Sequence, residues 1–252
     1  MSRILQLLCA TACFLHLSAT SAEMDAVRRD TTKAIYVSGA IRQGDASQFV
    51  AKLRSLGVSP LPVSSTQSYP RATVVVDSPG GNLRDAMEIG RAIRANKLRV
   101  AVRPDGECLS SCVYIIAAGV IRLPLGKVGI HRPYFVDIPN QGVDVGLRET
   151  LVASKKYFEE MNIPTNLADE MFSIPPGDIE ILSDAKLAFY RLNQPDMAFA
   201  EENAIRAARE RGMSRAEYGH RMSQFEARLK ACDRAPDFYI CANDLIEKSG
   251  LR

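Results

Sequence analysis

Ser110 and Ser111 lie between two cysteines in the run Gly106-Glu107-Cys108-Leu109-Ser110-Ser111-Cys112. The run opens into the apolar Val113-Tyr114-Ile115-Ile116-Ala117-Ala118 and stops at Gly119. A serine where a polar loop enters a buried helix can act simply as an N-cap. The same place sets a hydroxyl beside free N–H groups and the positive end of the helix dipole. Those groups would hold charge developing on a substrate oxygen as the serine attacks. A zinc clip is disfavoured, because two cysteines without a matching pair nearby do not make four ligands.

Two other stretches could join such a serine. Ser78-Pro79-Gly80-Gly81 is either an ordinary tight turn or a cradle whose backbone N–H groups face an oxyanion. Gly129-Ile130-His131-Arg132-Pro133 offers a histidine at the end of a short strand. The chain has 3 histidines, of which His16 sits in the apolar leader and His220 in a charged helix. Ser–His chemistry in the central region must therefore use His131.

The elements that would position these groups follow from patterning. Residues 23–32 are polar and read as a lead-in, followed by a strand at 34–39. Asp45 to Leu56 has helical spacing, with Phe49, Leu53 and Leu56 on one face. Ala72 to Asp77 is a β-branched run of the kind found in buried parallel strands. It breaks at the Pro-Gly-Gly turn, and a helix is expected from Leu83 to Ala95. A strand at 98–102, a buried helix at 112–118 and short strands near 121 and 128–131 complete an alternating α/β pattern. Helices are expected at 146–161, 165–172 and 183–192, and 195–252 reads as an all-helical tail.

Bulk properties narrow the setting. A formal net charge of +3 with mixed signs gives no basis for nucleic acid or an anionic membrane as partner. Arg3 is followed by an uncharged, mostly apolar stretch ending in Ser18-Ala19-Thr20-Ser21-Ala22. This predicts a secretory signal over 1–22, cleaved after Ala22, and hence a periplasmic or secreted protein. The alternatives are a buried N-terminal helix, or a lipoprotein through Cys13, which Ala10 suits poorly. Loss of Arg3 lowers the net charge from +3 to +2. No later stretch reaches 18 uninterrupted apolar residues, so no transmembrane segment is expected after signal removal.

Taken in order, strand–Ser-Pro-Gly-Gly–helix, then small loop–Ser110–apolar helix–Gly119, then Ile130-His131-Arg132-Pro133, resembles the Clp protease proteolytic subunit and the wider Clp/crotonase superfamily. It is most similar to an exported branch with a Cys-x-Ser-x-Cys nucleophile motif. The resemblance spans about 33–193. It implies a spiral of strand–strand–helix units with residues 194–252 as a helical C-terminal extension. It further implies Ser110 as nucleophile, since that residue is four after Gly106 and nine before Gly119. His131 is the implied base, and the N–H groups of Gly81 and Ser111 the implied oxyanion donors. The family's aspartate precedes a Leu-Ser-x-x-x-Ala helix, matched here at Leu182-Ser183. Strict counting places Ile179 at the aspartate's position, so Asp178 is ranked first and Glu180 second as the acid, with a Ser–His dyad as the alternative. Lys127 is the candidate for a Ser–Lys variant, although it reads as a surface residue.

Removal of the leader leaves Cys108, Cys112, Cys232 and Cys241, an even number in an exported chain. Four cysteines allow three pairings, among which sequence alone does not choose; the two local pairs, Cys108–Cys112 and Cys232–Cys241, are the expectation. The tail reads as an amphipathic hairpin packed on its own domain, the alternative being a helix pair that covers the active cleft or joins subunits. The leading expectation is an exported, ATP-independent serine peptidase acting on peptides or unfolded protein, with no cofactor and no metal. A homo-oligomer is implied by the resemblance only. A binding or scaffold protein of the same fold and an exported esterase are the alternatives.

Overall fold

The computed structural model describes residues 22–29, 31–60, 70–134, 140–234 and 236–250. The leader, apart from Ala22, lies outside them. The chain begins with strands β1 (Glu23–Arg29) and β2 (Thr32–Ser38), then helix α1 (Asp45–Ser55), strand β3 (Thr73–Asp77) and helix α2 (Leu83–Ala95). Strand β4 (Arg99–Val102), strand β5 (Glu107–Leu109) and helix α3 (Cys112–Ala118) form one strand–strand–helix unit. Strands β6 (Ile121–Pro124) and β7 (Lys127–Ile130) with helix α4 (Asn140–Glu160) form the next. Helix α5 (Asn166–Ser173), strand β8 (Glu180–Ile181) and helix α6 (Asp184–Phe189) lead to the tail. The tail comprises α7 (Met197–Glu210), α8 (Arg215–Cys232) and α9 (Phe238–Ser249).

Five strands make the main sheet in the order β1-β2-β3-β4-β6, parallel except for β1 against β2. A second, small sheet runs β5-β7-β8. The period-2 pattern of β3 sends Val74 and Val76 fully inside, and β4 does the same with Val100 and Val102. Helix α2 lays Ala86, Ile89 and Ile93 on the core, and α3 is buried at every residue, as its unbroken apolar sequence requires. Each large aliphatic buried there contributes about 1.5–3 kcal/mol. Gly90 of α2 allows a close crossing, because a Cβ there would lie 1.7 Å from the Tyr157 hydroxyl. That hydroxyl donates to Tyr114 O at 2.7 Å, and the Tyr114 hydroxyl donates to Ser154 Oγ at 2.8 Å, so α3 and α4 are tied inside the core.

Two expectations change. Residues 23–29 are a strand and not a loose lead-in: Met24 alternates inward at 4 % exposure while Glu23 and Asp25 face water. The tail also packs less than an amphipathic hairpin would. Helix α7 buries Phe199 and Ala208, α8 buries only Cys232, and α9 buries nothing among the described residues. The tail is rooted instead at Asp196, which caps α7 through Phe199 N–H and pairs with Arg94 at 2.9 Å.

Beside that root, Arg122 of β6 is almost wholly buried. Its guanidinium donates to the carbonyls of Ala117, Arg191, Gln194 and Met161 and lies 3.6 Å from Asp196. It thereby satisfies carbonyls left over near the ends of α3, α4 and α6. Burial, with Arg94 nearby, pushes its pKa down to about 10, against the opposing pull of Asp196, so it stays charged at neutral pH.

Candidate active site

Three loops that are distant in sequence meet at one end of the small sheet. Ser78 N–H donates to Glu107 O, and Leu109 N–H donates back to Ser78 O, so the Ser-Pro-Gly-Gly turn runs alongside β5. β5 leads straight into Ser110, whose N–H donates to Gly129 O at 2.9 Å, two residues before His131. Gly81, Ser110, Ser111 and His131 all line one cleft of about 940 Å³. Leu83, Met87, Tyr114 and Met171 add apolar wall to it.

Both glycines of the turn are required, for separate reasons. Gly80 has φ +93°, and a Cβ on it would lie 2.7 Å from Ser110 Cβ and 2.6 Å from Leu109 O. Gly81 has φ +138°, and its Cβ would meet Ile41 O at 2.2 Å. The turn is gripped from behind as well. The buried Ser78 hydroxyl donates to Gly39 O at 2.7 Å and accepts from Gly80 N at 3.1 Å. Ile41 N donates to Gly80 O, and Asn82 N donates to Ile41 O. Asp85, buried on α2, accepts from Gly44 N and Ala46 N and fixes the loop that carries Ile41. The N–H groups of Gly81 and Ser111 have no acceptor among the described residues.

Ser110 takes φ +55°, a left-handed backbone that costs a non-glycine residue about 1–3 kcal/mol. The Cys108–Cys112 disulfide brackets it, with Cα atoms 5.1 Å apart and both residues at 0 % exposure. The strand-to-helix junction brings the two closer than the roughly 6 Å of a continuous helix. Cys232–Cys241, the other expected pair, is also bonded. The Ser111 hydroxyl does not cap α3, and its Oγ is buried without a partner among the described residues.

His131 is 6 % exposed and follows β7 directly. Its Nδ1 is 2.9 Å from Arg132 O. A carbonyl can only accept, so Nδ1 carries the proton and Nε2 is the basic nitrogen. No hydrogen bond joins His131 to Ser110 in this structure. None joins it to either sequence-ranked acid. Asp178 is exposed, in a turn where its N–H donates to Pro175 O. Glu180 of β8 is engaged with Lys186, which also holds Glu170. Lys127 is exposed at the start of β7.

Sequence reasoning passed over Ser78 as a hydroxyl, Asp85 and the Arg132 carbonyl. Asp85 left a trace: it shares the i, i+4, i+8 stripe with Ile89 and Ile93, an apolar face where a carboxylate needs a reason.

No protein-family model matches the chain, and no curated protein matches it. A solved structure similar to it is that of a mutant of a 1510-N membrane-bound stomatin-specific protease. The two share 16% identity with a TM-score of 0.46, over 68% of this chain and 82% of that one. A likeness of this size bears on neither residue roles nor substrate.

Proposed function

We propose that the protein is an exported serine hydrolase of the Clp/crotonase kind, acting as an ATP-independent peptidase. The observation that carries this reading is the convergence of Gly81, Ser110, Ser111 and His131 on one cleft, with two N–H groups there that have no acceptor among the described residues. In the proposed reaction, Ser110 Oγ attacks an amide carbonyl carbon while His131 Nε2 takes its proton. The carbonyl π electrons move to oxygen, and the Gly81 and Ser111 N–H groups hold the resulting oxyanion. Each such donor is worth about 10²–10³ in rate. The intermediate collapses, the amine leaves with the proton from His131, and water then hydrolyses the acyl-enzyme by the same steps. Catalytic hydrogen bonds often tighten only with substrate in place, which accommodates the unbonded Ser110 and His131.

Export rests on the leader and on two disulfides, which favour an oxidising compartment. Cleavage after Ala22 would start the mature chain at Glu23, the first residue of β1. Among the described residues no helix is long and apolar enough to cross a membrane.

A fluorophosphonate probe tests the reading. The oxidised wild type is expected to gain one probe mass on the Ser110 peptide, and Ser110→Ala and His131→Ala are expected to gain none. Folded, oxidised protein that stays unlabelled would overturn it. That no carboxylate bonds His131 among the described residues favours one competitor, a non-catalytic binding module. That alternative predicts no hydrolysis by wild type and partner binding that survives Ser110→Ala.

A further inference from the structure

We infer that, among the described residues, His131 is held by the Arg132 carbonyl in place of a carboxylate, and that position 179 is where a carboxylate would complete the site. The inference rests on the Ser110–His131 reading. Strand β8 lies antiparallel to β7, with Gly129 opposite Ile181 and Ile130 opposite Glu180. Continued one residue past the ends of both strands, that register would set His131 opposite Ile179. Residues facing each other across an antiparallel pair project to the same side, with Cβ atoms about 4.5–5.5 Å apart. Position 179 is thus the nearest point on the neighbouring strand from which a short acid could reach the ring.

The acids on either side do not serve this place. A shift of one residue along a strand turns a side chain to the opposite face. Glu180 is so turned, and Lys186 engages it. Asp178 is exposed in the turn before the strand. The Arg132 carbonyl, by contrast, is held firmly. Pro133 confines Arg132 to extended backbone, and Arg132 N–H donates to Ile174 O at 2.9 Å. A carbonyl so fixed selects the Nδ1–H tautomer, as an aspartate would. It lacks the negative charge that stabilises the imidazolium formed when His131 takes the serine proton. Arg132 is on this view a positioning residue acting through its backbone, and the wild-type site works at reduced power.

The test is the rate of fluorophosphonate labelling, in which an Oγ–P bond forms, fluoride leaves and the Ser110 proton passes to His131. Wild type, Ile179→Asp and Ile179→Asn are compared as oxidised, full-length mature protein. Ile179 is 47 % exposed, so neither change empties the core, and melting curves check the fold. Ile179→Asp is expected to label at least about tenfold faster than wild type, while Ile179→Asn, equal in shape but uncharged, stays near the wild-type rate. Ile179→Asp should also acquire a downfield imidazole proton resonance that the Asn variant lacks. Wild type that labels slowly, with Ile179→Asp at least about tenfold faster and Ile179→Asn unchanged, would support the inference most directly. Wild type that labels while Ile179→Asp gains nothing would overturn this inference and leave the Ser–His reading intact. A tenfold loss in Asp178→Asn or Glu180→Gln would overturn it too, by showing that an acid already serves. No labelling in any form overturns both.

Discussion

Cys108–Cys112 and Cys232–Cys241 are both short-range disulfides, yet one is sunk in the core beside Ser110 and the other joins helices that bury almost nothing else. The α/β body is held by apolar burial and by a polar network around Arg122 that is satisfied on every side. The α8–α9 arm is held by local devices: Ser214 and Asp237 as N-caps, and surface pairs such as Arg221–Glu217 and Lys248–Asp244. Caps of this kind contribute about 1 kcal/mol each, and exposed pairs about 0–1. The contrast teaches that the arm is a separate object energetically, joined to the body through α7, which Asp196 roots.

The contrast is most exposed to failure at Arg122. Arg122→Met strands several buried carbonyls and is expected to cost about 3–5 kcal/mol in urea unfolding. An Arg122→Met protein as stable as wild type would remove the network from the account of the body. The paired change Cys108→Ala with Cys112→Ala should cost about 2 kcal/mol and slow probe labelling of Ser110 at least about tenfold. Cys232→Ala with Cys241→Ala should leave labelling and the main unfolding transition in place and only speed proteolysis within the arm. If the second pair silenced labelling as strongly as the first, the arm would belong to the site after all.

A smaller effect should appear in acid. Burial raises the Asp196 pKa, but Arg94, Phe199 N–H and Asn162 outweigh it and hold the carboxyl below its ordinary value of 3.8. A depressed carboxylate stabilises the fold fully above its unfolded pKa and loses that contribution as pH falls through the folded one. Wild-type stability should therefore drop below pH 3.8 by a component that Asp196→Asn lacks, measured as the difference between their acid titrations. Smallest of all, Arg221→Met in the arm should change stability by no more than about 0.5 kcal/mol.

What could be read beforehand was local. The β-branched run before the Pro-Gly-Gly turn and the amphipathic stretch from Leu83 to Ala95 are elements whose own patterns decide them, and the helix falls on those residues. The two local disulfide pairs were the expectation, although four cysteines allow three pairings, and it is the structure that joins Cys108 to Cys112 and Cys232 to Cys241. What was missed depends on partners far along the chain. β1 has only Met24 and Ala26 facing inward and becomes a strand by pairing with β2. β5 has three residues and β8 two, too few for periodicity to register. The surroundings of His131 hang on the register of β8. Counting alone pointed to Ile179 there but could not say what holds the ring instead, because a backbone carbonyl leaves no mark in a sequence. Arg122 was invisible for the same reason: four of its acceptors are main-chain oxygens.

The burial of Cys108 and Cys112 has a consequence in time. With both sulfurs closed off in the finished fold, an oxidant must reach them while α3 is still unseated. Oxidation before that packing step would set the left-handed backbone of Ser110 with a bond made earlier than the core around it. The cystine is a record of where the chain folded, sealed by the same helix that completes the site.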